Sequence, residues 1–200
     1  MSFTPMECAK AIEQAYKGRI SYQKKKFISD SGAEAYLNTK GLMVIPGSQG
    51  IDDYLKFNLR VGWFKMTNKN SKIKFHAGFM KHASDLLDFA RTNNVKMITG
   101  HSLGAASGQL IAATLNIDAY CFAAPKVLYR GWKSHTSARI FCINRKDDTV
   151  CRLPSRRFKH IGKVIEMTAR GRIGADHKIK HYMTAMNTKS VQNASSVRFV

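Results

Sequence analysis

The chain has 200 residues, 44% of them hydrophobic, which is one domain's worth of sequence with enough apolar side chains for a substantial core. That excludes a disulfide-stapled miniature fold and a mostly disordered tail, and no apolar run reaches the ~18 residues a membrane-spanning helix needs. Lys and Arg number 33 against 13 Asp and Glu, a formal net charge of +20 whose field draws polyanions, either nucleic acid or an anionic lipid surface.

In chain order, Thr4-Pro5-Met6-Glu7 opens a helix that runs to about Tyr16, with a capping hydroxyl, a proline at the first helical position and a glutamate three residues after the cap. Residues 35–37 and 41–45 read as strands joined by a turn at 38–40, the second ended by Pro46-Gly47. Residues 51–58 pattern as a short amphipathic helix. Phe79, Ala83, Leu86, Leu87 and Ala90 form the stripe of a helix lying on a core, which Asn93-Asn94 breaks. A strand at 95–99, a small-residue helix at 102–115 and a strand at 119–123 then make a parallel crossover. A further helix is expected ahead of a strand at 139–143, which runs into the polar cluster Asn144-Arg145-Lys146-Asp147-Asp148. A strand at 163–168, a glycine-bearing loop at 171–177 and a helix at 178–186 close the pattern. No linker or repeat interrupts it, so residues 1–200 read as a single α/β domain.

Gly100-His101-Ser102-Leu103-Gly104 is a G-x-S-x-G between a strand and a helix. In that setting the glycines permit a sharp turn that exposes the serine as a nucleophile, and the following helix aims its first amides, Leu103's among them, at a developing oxyanion. The plainer reading is a glycine-rich turn with a capping serine. A serine nucleophile needs a histidine to take its proton, and that histidine needs a carboxylate, in the chain order Ser, acid, His. The acids after Ser102 are Asp118, Asp147, Asp148, Glu166 and Asp176; Asp147 and Asp148 follow a strand, where a catalytic loop belongs. Of His135, His160, His177 and His181, the last two lie beyond the next strand, and spacing does not choose between them. His177 and His181 are also four residues apart, as zinc ligands on a helix can be, but no glutamate base lies between them and no third ligand is evident. No metal and no cofactor is expected.

These blocks resemble the class 3 (fungal-type) lipases in a compact form, from about Leu42 to Tyr182. Pro46-Gly47-Ser48 with Asp53-Tyr54 is similar to the family's oxyanion loop, His76-Ala77-Gly78-Phe79 to its His-x-Gly-Phe block, and Thr99 to Gly104 to its elbow. Phe122-Ala123-Ala124-Pro125 resembles the segment ending in Ala-Pro. The block from Asn144 through Asp148-Thr149-Val150 to Leu153-Pro154 resembles the one carrying the acid, and His177 with Tyr182 resembles the closing block.

The resemblance implies an α/β-hydrolase-like three-layer fold with a mostly parallel central sheet flanked by helices. It also implies hydrolysis of acylglycerol or phospholipid esters, with Ser102 as nucleophile, Asp148 as orienting acid, His177 as base, and Ser48 and Leu103 as oxyanion donors. Asp147 and His181 become second choices, and 51–58 becomes a candidate lid. Ala105 stands where many relatives have a second glycine, and Pro46 where an arginine is common; neither removes a reacting group. His76 is expected to be a satisfied core histidine.

More than half of the basic side chains but fewer than a third of the acidic ones lie beyond residue 125. No helix-turn-helix, RRM or KH pattern accompanies them, so the surplus points to an anionic membrane surface and not to nucleic acid. Lys24-Lys25-Lys26 and Arg156-Arg157 with Lys159 read as solvated faces. The competing function is a non-catalytic basic binding module on a hydrolase scaffold. Cys121 and Cys142 sit in apolar runs and read as buried thiols of a reducing compartment. The first ten residues lack a charged segment leading into an apolar one, which reads as a cytoplasmic protein.

Overall fold

The computed structural model describes residues 3–48, 61–65, 72–131, 133–134, 136–154, 157–168 and 177–187, with backbone only for 61–65 and 72–73. The expected helix at 51–58 and most of the loop at 171–177 lie outside them.

Helix α1 (Pro5–Ala15) begins with the expected capping box: the Glu7 amide donates to the Thr4 hydroxyl at 3.2 Å and the Glu7 carboxylate accepts from the Thr4 amide at 2.7 Å. Strands β1 (Gln23–Ile28), β2 (Glu34–Asn38) and β3 (Leu42–Ile45) follow as an antiparallel meander. After β4 (Val61–Lys65) and β5 (Lys72–His76) come α2 (Ala77–Thr92), β6 (Met97–His101), α3 (Leu103–Leu115), β7 (Asp118–Phe122), β8 (Leu128–Tyr129) and β9 (Ile140–Arg145). A 3-10 turn (Thr149–Arg152), β10 (Phe158–Lys159), β11 (Lys163–Met167) and α4 (Ile179–Met186) complete the described chain.

Seven strands form the main sheet in the order β1-β2-β3-β6-β7-β9-β11, parallel from β3 onward. Alternation along each strand divides its side chains between two cores, because successive Cβ atoms point to opposite faces. Leu42, Val44, Tyr120 and Phe122 face α1 and α4, packing on Ile12 and Tyr182; Met43, Ile45, Ile98 and Cys121 face α2 and α3, packing on Phe79, Leu86 and Leu110. The result is the expected three-layer fold with a mostly parallel sheet between helices. Within α3, eleven residues from Leu103 to Ala113 are buried, which is why its sequence is mostly small and apolar, with the buried Gln109 amide bonded to the Pro125 carbonyl and the Ile161 amide. A second, antiparallel sheet, β10-β8-β5-β4, packs beside α2 and adds Phe75 and Leu128 to the larger core. Among the described residues no helix is long and apolar enough to cross a membrane.

Two expectations need correction. No described residue between β7 and β9 is helical: Gly131 takes φ +89°, β8 pairs with β5 and β10, and the Asn116 side chain accepts from the Ser137 and Ala138 amides at 2.9 and 3.0 Å, fixing a turn instead. Lys24 to Lys26 are solvated, as expected, but on an edge strand, β1, where lysines discourage pairing with another sheet. His76 is fully buried yet not satisfied: neither ring nitrogen has a hydrogen-bond partner among the described residues, and the ring lies 4.3 Å from that of Phe79. All four cysteines are buried and free, Cys121 and Cys142 as expected.

Candidate active site

The elbow is built by close approach. Strand β6 continues two residues past the expected end because Gly100 pairs with Ile45 and Cys121, and His101 pairs with Phe122. The turn into α3 is therefore made at one residue, Ser102, which takes φ +60° and ψ −122°, a sparsely populated and strained conformation for a residue with a Cβ. The flanking glycines make room for it. A Cβ on Gly100 would run into the Gly104 carbonyl, and one on Gly104 would run into the Ile45 carbonyl. Gly47 closes the site from β3, since a Cβ there would lie 2.8 Å from Ser102 Cβ.

Ser102 Oγ lies 2.7 Å from His177 Nε2, and His177 Nδ1 lies 2.9 Å from Asp148 Oδ2. A carboxylate accepts, so Nδ1 carries the ring proton and Nε2 is free to accept from the serine hydroxyl. Asp148 caps the 3-10 turn, with Oδ1 accepting from the Val150 amide at 3.0 Å, while Oδ2 also accepts from the Tyr182 hydroxyl at 2.7 Å. Burial pushes its pKa up, but the bonds and charge supplied by His177, with those from Tyr182 and Val150, outweigh burial and hold it below the usual carboxylate value. The acid is thus ionised at neutral pH. The Leu103 amide opens α3, where a helix has no acceptor of its own for its first donors.

The alternatives that spacing left open are separated by side-chain direction. Asp147 is gripped by Arg145, whose Nη2 and Nε donate to its two oxygens at 2.6 and 3.0 Å in a buried bidentate pair. Arg145 Nη1 donates to the His181 carbonyl at 3.0 Å, so His181 enters this network through its backbone, in the first turn of α4. Asp147 and Arg145 hold the platform on which Asp148 and His177 meet. Ser48 is exposed in the loop after β3 and lines a cavity of about 310 Å³ with Tyr16, Glu34, Tyr36, Gly47 and His82. Among the described residues no group of three or more His, Cys, Asp and Glu could hold a metal ion.

The sequence assigns no chemical role to Tyr16, His101 or Arg145, and Tyr182 enters it only beside His177 in the closing block. Of the first three, only His101 carries a signal, as a polar residue ending an apolar strand inside the motif.

Ser102 is buried in this structure, 1% exposed, and not open to solvent as the motif led one to expect. A serine at a strained strand-to-helix turn, with its base and acid arriving on later loops of the same parallel sheet, is still the organisation of the α/β-hydrolase class of serine hydrolases. Residues 42–158 match the lipase (class 3) family, and the chain belongs to that family of serine ester hydrolases. No match was found among curated protein sequences. Among solved structures, a triacylglycerol lipase from Penicillium expansum superposes with a TM-score of 0.65 at 16% identity, covering 84% of this chain and 79% of that one. Lipase II from Rhizopus niveus gives 0.63 at 14% identity over the same two shares, 84% and 79%. A deletion mutant of Rhizomucor miehei lipase in its propeptide complex gives 0.60 at 20% identity, covering 74% of this chain but only 55% of that larger one. At these identities the likeness is one of fold.

Proposed function

We propose that this protein hydrolyses the carboxylic esters of acylglycerols or phospholipids through an acyl-enzyme on Ser102. The observation that carries this reading is the unbroken chain from Ser102 Oγ through His177 to Asp148, at 2.7 and 2.9 Å. His177 Nε2 takes the hydroxyl proton as Oγ bonds to the ester carbon, and the charge that develops on the carbonyl oxygen is met by the Leu103 amide and by Ser48. Collapse breaks the bond to the alcohol, which leaves with the proton from His177. Water then repeats the sequence, with His177 taking its proton, and releases the acid from Ser102. Asp148 remains ionised throughout, holding the tautomer and stabilising the imidazolium. The net charge of +20 supports docking to an anionic membrane, since each Lys or Arg near such a surface contributes about 1 kcal/mol.

Fluorophosphonate labelling followed by peptide mapping tests the chemistry. Label is expected on Ser102 and lost in both Ser102→Ala and His177→Ala; label elsewhere would remove the proposal. Asp148→Asn is expected to lower kcat by about 10⁴, as loss of the orienting acid does. Asp147→Asn should instead show mainly in stability, by about 3–5 kcal/mol, because it removes the carboxylate charge that compensates the buried Arg145 guanidinium. Turnover of acylglycerol and phospholipid vesicles identifies the ester. Vesicle binding that did not change between low and high salt would remove the docking role.

A further inference from the structure

The triad leaves a second hydrogen-bonded chain unused, and that chain passes directly behind Ser102. His101 is 3% exposed. Its Nε2 lies 2.7 Å from the His177 carbonyl oxygen and its Nδ1 lies 2.7 Å from the Tyr16 hydroxyl, which in turn lies 2.9 Å from the Gly47 amide nitrogen.

The direction of every bond is fixed by chemistry. A carbonyl only accepts, so Nε2 carries the proton and donates to His177. Burial keeps the ring neutral, its pKa pushed down to about 3, so Nδ1 is bare and accepts. Tyr16 therefore donates its hydroxyl proton to His101, and its lone pair receives the Gly47 N–H. The phenol keeps that proton across the neutral range, because desolvation of its hydroxyl, held between His101 and the Gly47 amide, pushes its pKa up to about 12.

The two ends of this relay are the two loops that must be placed about Ser102. Gly47 belongs to the loop after β3, which carries Ser48; His177 belongs to the loop before α4, which carries the base. The Gly47 amide is committed to Tyr16, so among the described residues of this loop the donor to an oxyanion is left to Ser48. We infer that Tyr16 and His101 are positioning residues that set the oxyanion loop and the base-bearing peptide at a fixed separation across Ser102. The inference rests on the triad reading above. It differs from a packing role, because the ring contacts of His101 with Tyr16 and Tyr182, at 5.7 and 6.1 Å between centroids, would survive replacement by another flat ring.

The test compares steady-state kinetics with the rate of fluorophosphonate labelling in Tyr16→Phe, His101→Gln and the double variant, beside Ser102→Ala. Tyr16→Phe removes one oxygen from a residue that is 41% exposed, so the fold is kept. Small displacements of reacting groups cost up to about 100-fold in rate. We expect Tyr16→Phe to lower kcat about tenfold with KM within about twofold, and to slow labelling of Ser102 by the same factor. In His101→Gln the amide nitrogen stands in for Nε2 and reaches the His177 carbonyl, while the amide oxygen lies further from the backbone than Nδ1 and is displaced from the Tyr16 hydroxyl, so the relay is already cut at that point. The double variant should then match His101→Gln alone. A Tyr16→Phe enzyme with wild-type kcat and labelling rate, or losses that add in the double variant, would overturn the relay. The readings part cleanly: label lost in Ser102→Ala with Tyr16→Phe silent sinks the relay alone, and label retained in Ser102→Ala sinks both.

Discussion

Two of the described strands run straight into helices and end on a buried histidine. His76 ends β5 before α2, and His101 ends β6 just before Ser102 and α3. Burial keeps both rings neutral, with pKa values pushed down to about 4 and about 3. The backbones differ: His76 itself makes the first turn at φ −70° and ψ 121°, ordinary extended values, whereas Ser102 is held at positive φ by crowding glycines. The bonding differs more. His101 uses both nitrogens, and His76 uses neither among the described residues, its ring lying against Phe79 and Phe158 at 4.3 and 5.8 Å. Burial and a depressed pKa are therefore common to a packing histidine and a positioning one. What separates them is whether the nitrogens are given directions.

The largest break in this contrast comes from the backbone. Gly104→Ala places a Cβ against the Ile45 carbonyl and 2.7 Å from that of Pro46, forcing α3 away from β3. Overpacking of this kind costs about 1–3 kcal/mol, and displacement of the Leu103 amide should lower kcat about 100-fold. Thermal unfolding and ester turnover check both numbers.

Next in size is the exchange of each ring for phenylalanine. His101→Phe strands the Tyr16 hydroxyl and the His177 carbonyl and should cost about 1–3 kcal/mol together with kcat. His76→Phe removes two unsatisfied nitrogens from an aromatic setting and should gain about 1 kcal/mol, or 2–4 °C in Tm, with kcat unchanged. Loss of activity in His76→Phe would mean that the two junctions are not the different objects described above.

The same contrast explains which parts of the molecule can be read from sequence. The elbow is local: strand, glycines, serine and small-residue helix lie within twenty residues, so pattern and turn chemistry suffice. The parallel crossovers follow from the same periodicities. The segment before β9 misled because its turn is fixed by Asn116, about twenty residues upstream, and no local pattern records that bond. Asp147 and Asp148 are adjacent and both buried, and only the direction of each side chain, toward Arg145 or toward His177, divides platform from site. Tyr16 and His101 are 85 residues apart, and nothing in either segment announces the other.

Acid titration offers the smallest and most specific test. The folded pKa values of His76 and His101 lie below the ordinary 6.5, so between pH 6.5 and about 4 the unfolded chain binds protons that the folded chain refuses. Stability then rises with pH across that window and is lost as pH falls through it, at about 1.4 kcal/mol per pH unit for each histidine. Asp148 acts in a lower window: its folded pKa is depressed, so its contribution is present above the unfolded carboxylate value, near 4, and is lost as pH falls through the folded one. Urea unfolding at steps from pH 6 to 4.5 isolates the histidines. His76→Phe and His101→Phe should each flatten the wild-type slope by about 1.4 kcal/mol per pH unit, one proton's worth, although only the second loses activity. An unchanged slope in His76→Phe would require that ring to take up its proton while folded, and hence to have an acceptor within reach; His76 would then be a bonded histidine like His101, and the difference between the two junctions would lie in the backbone alone.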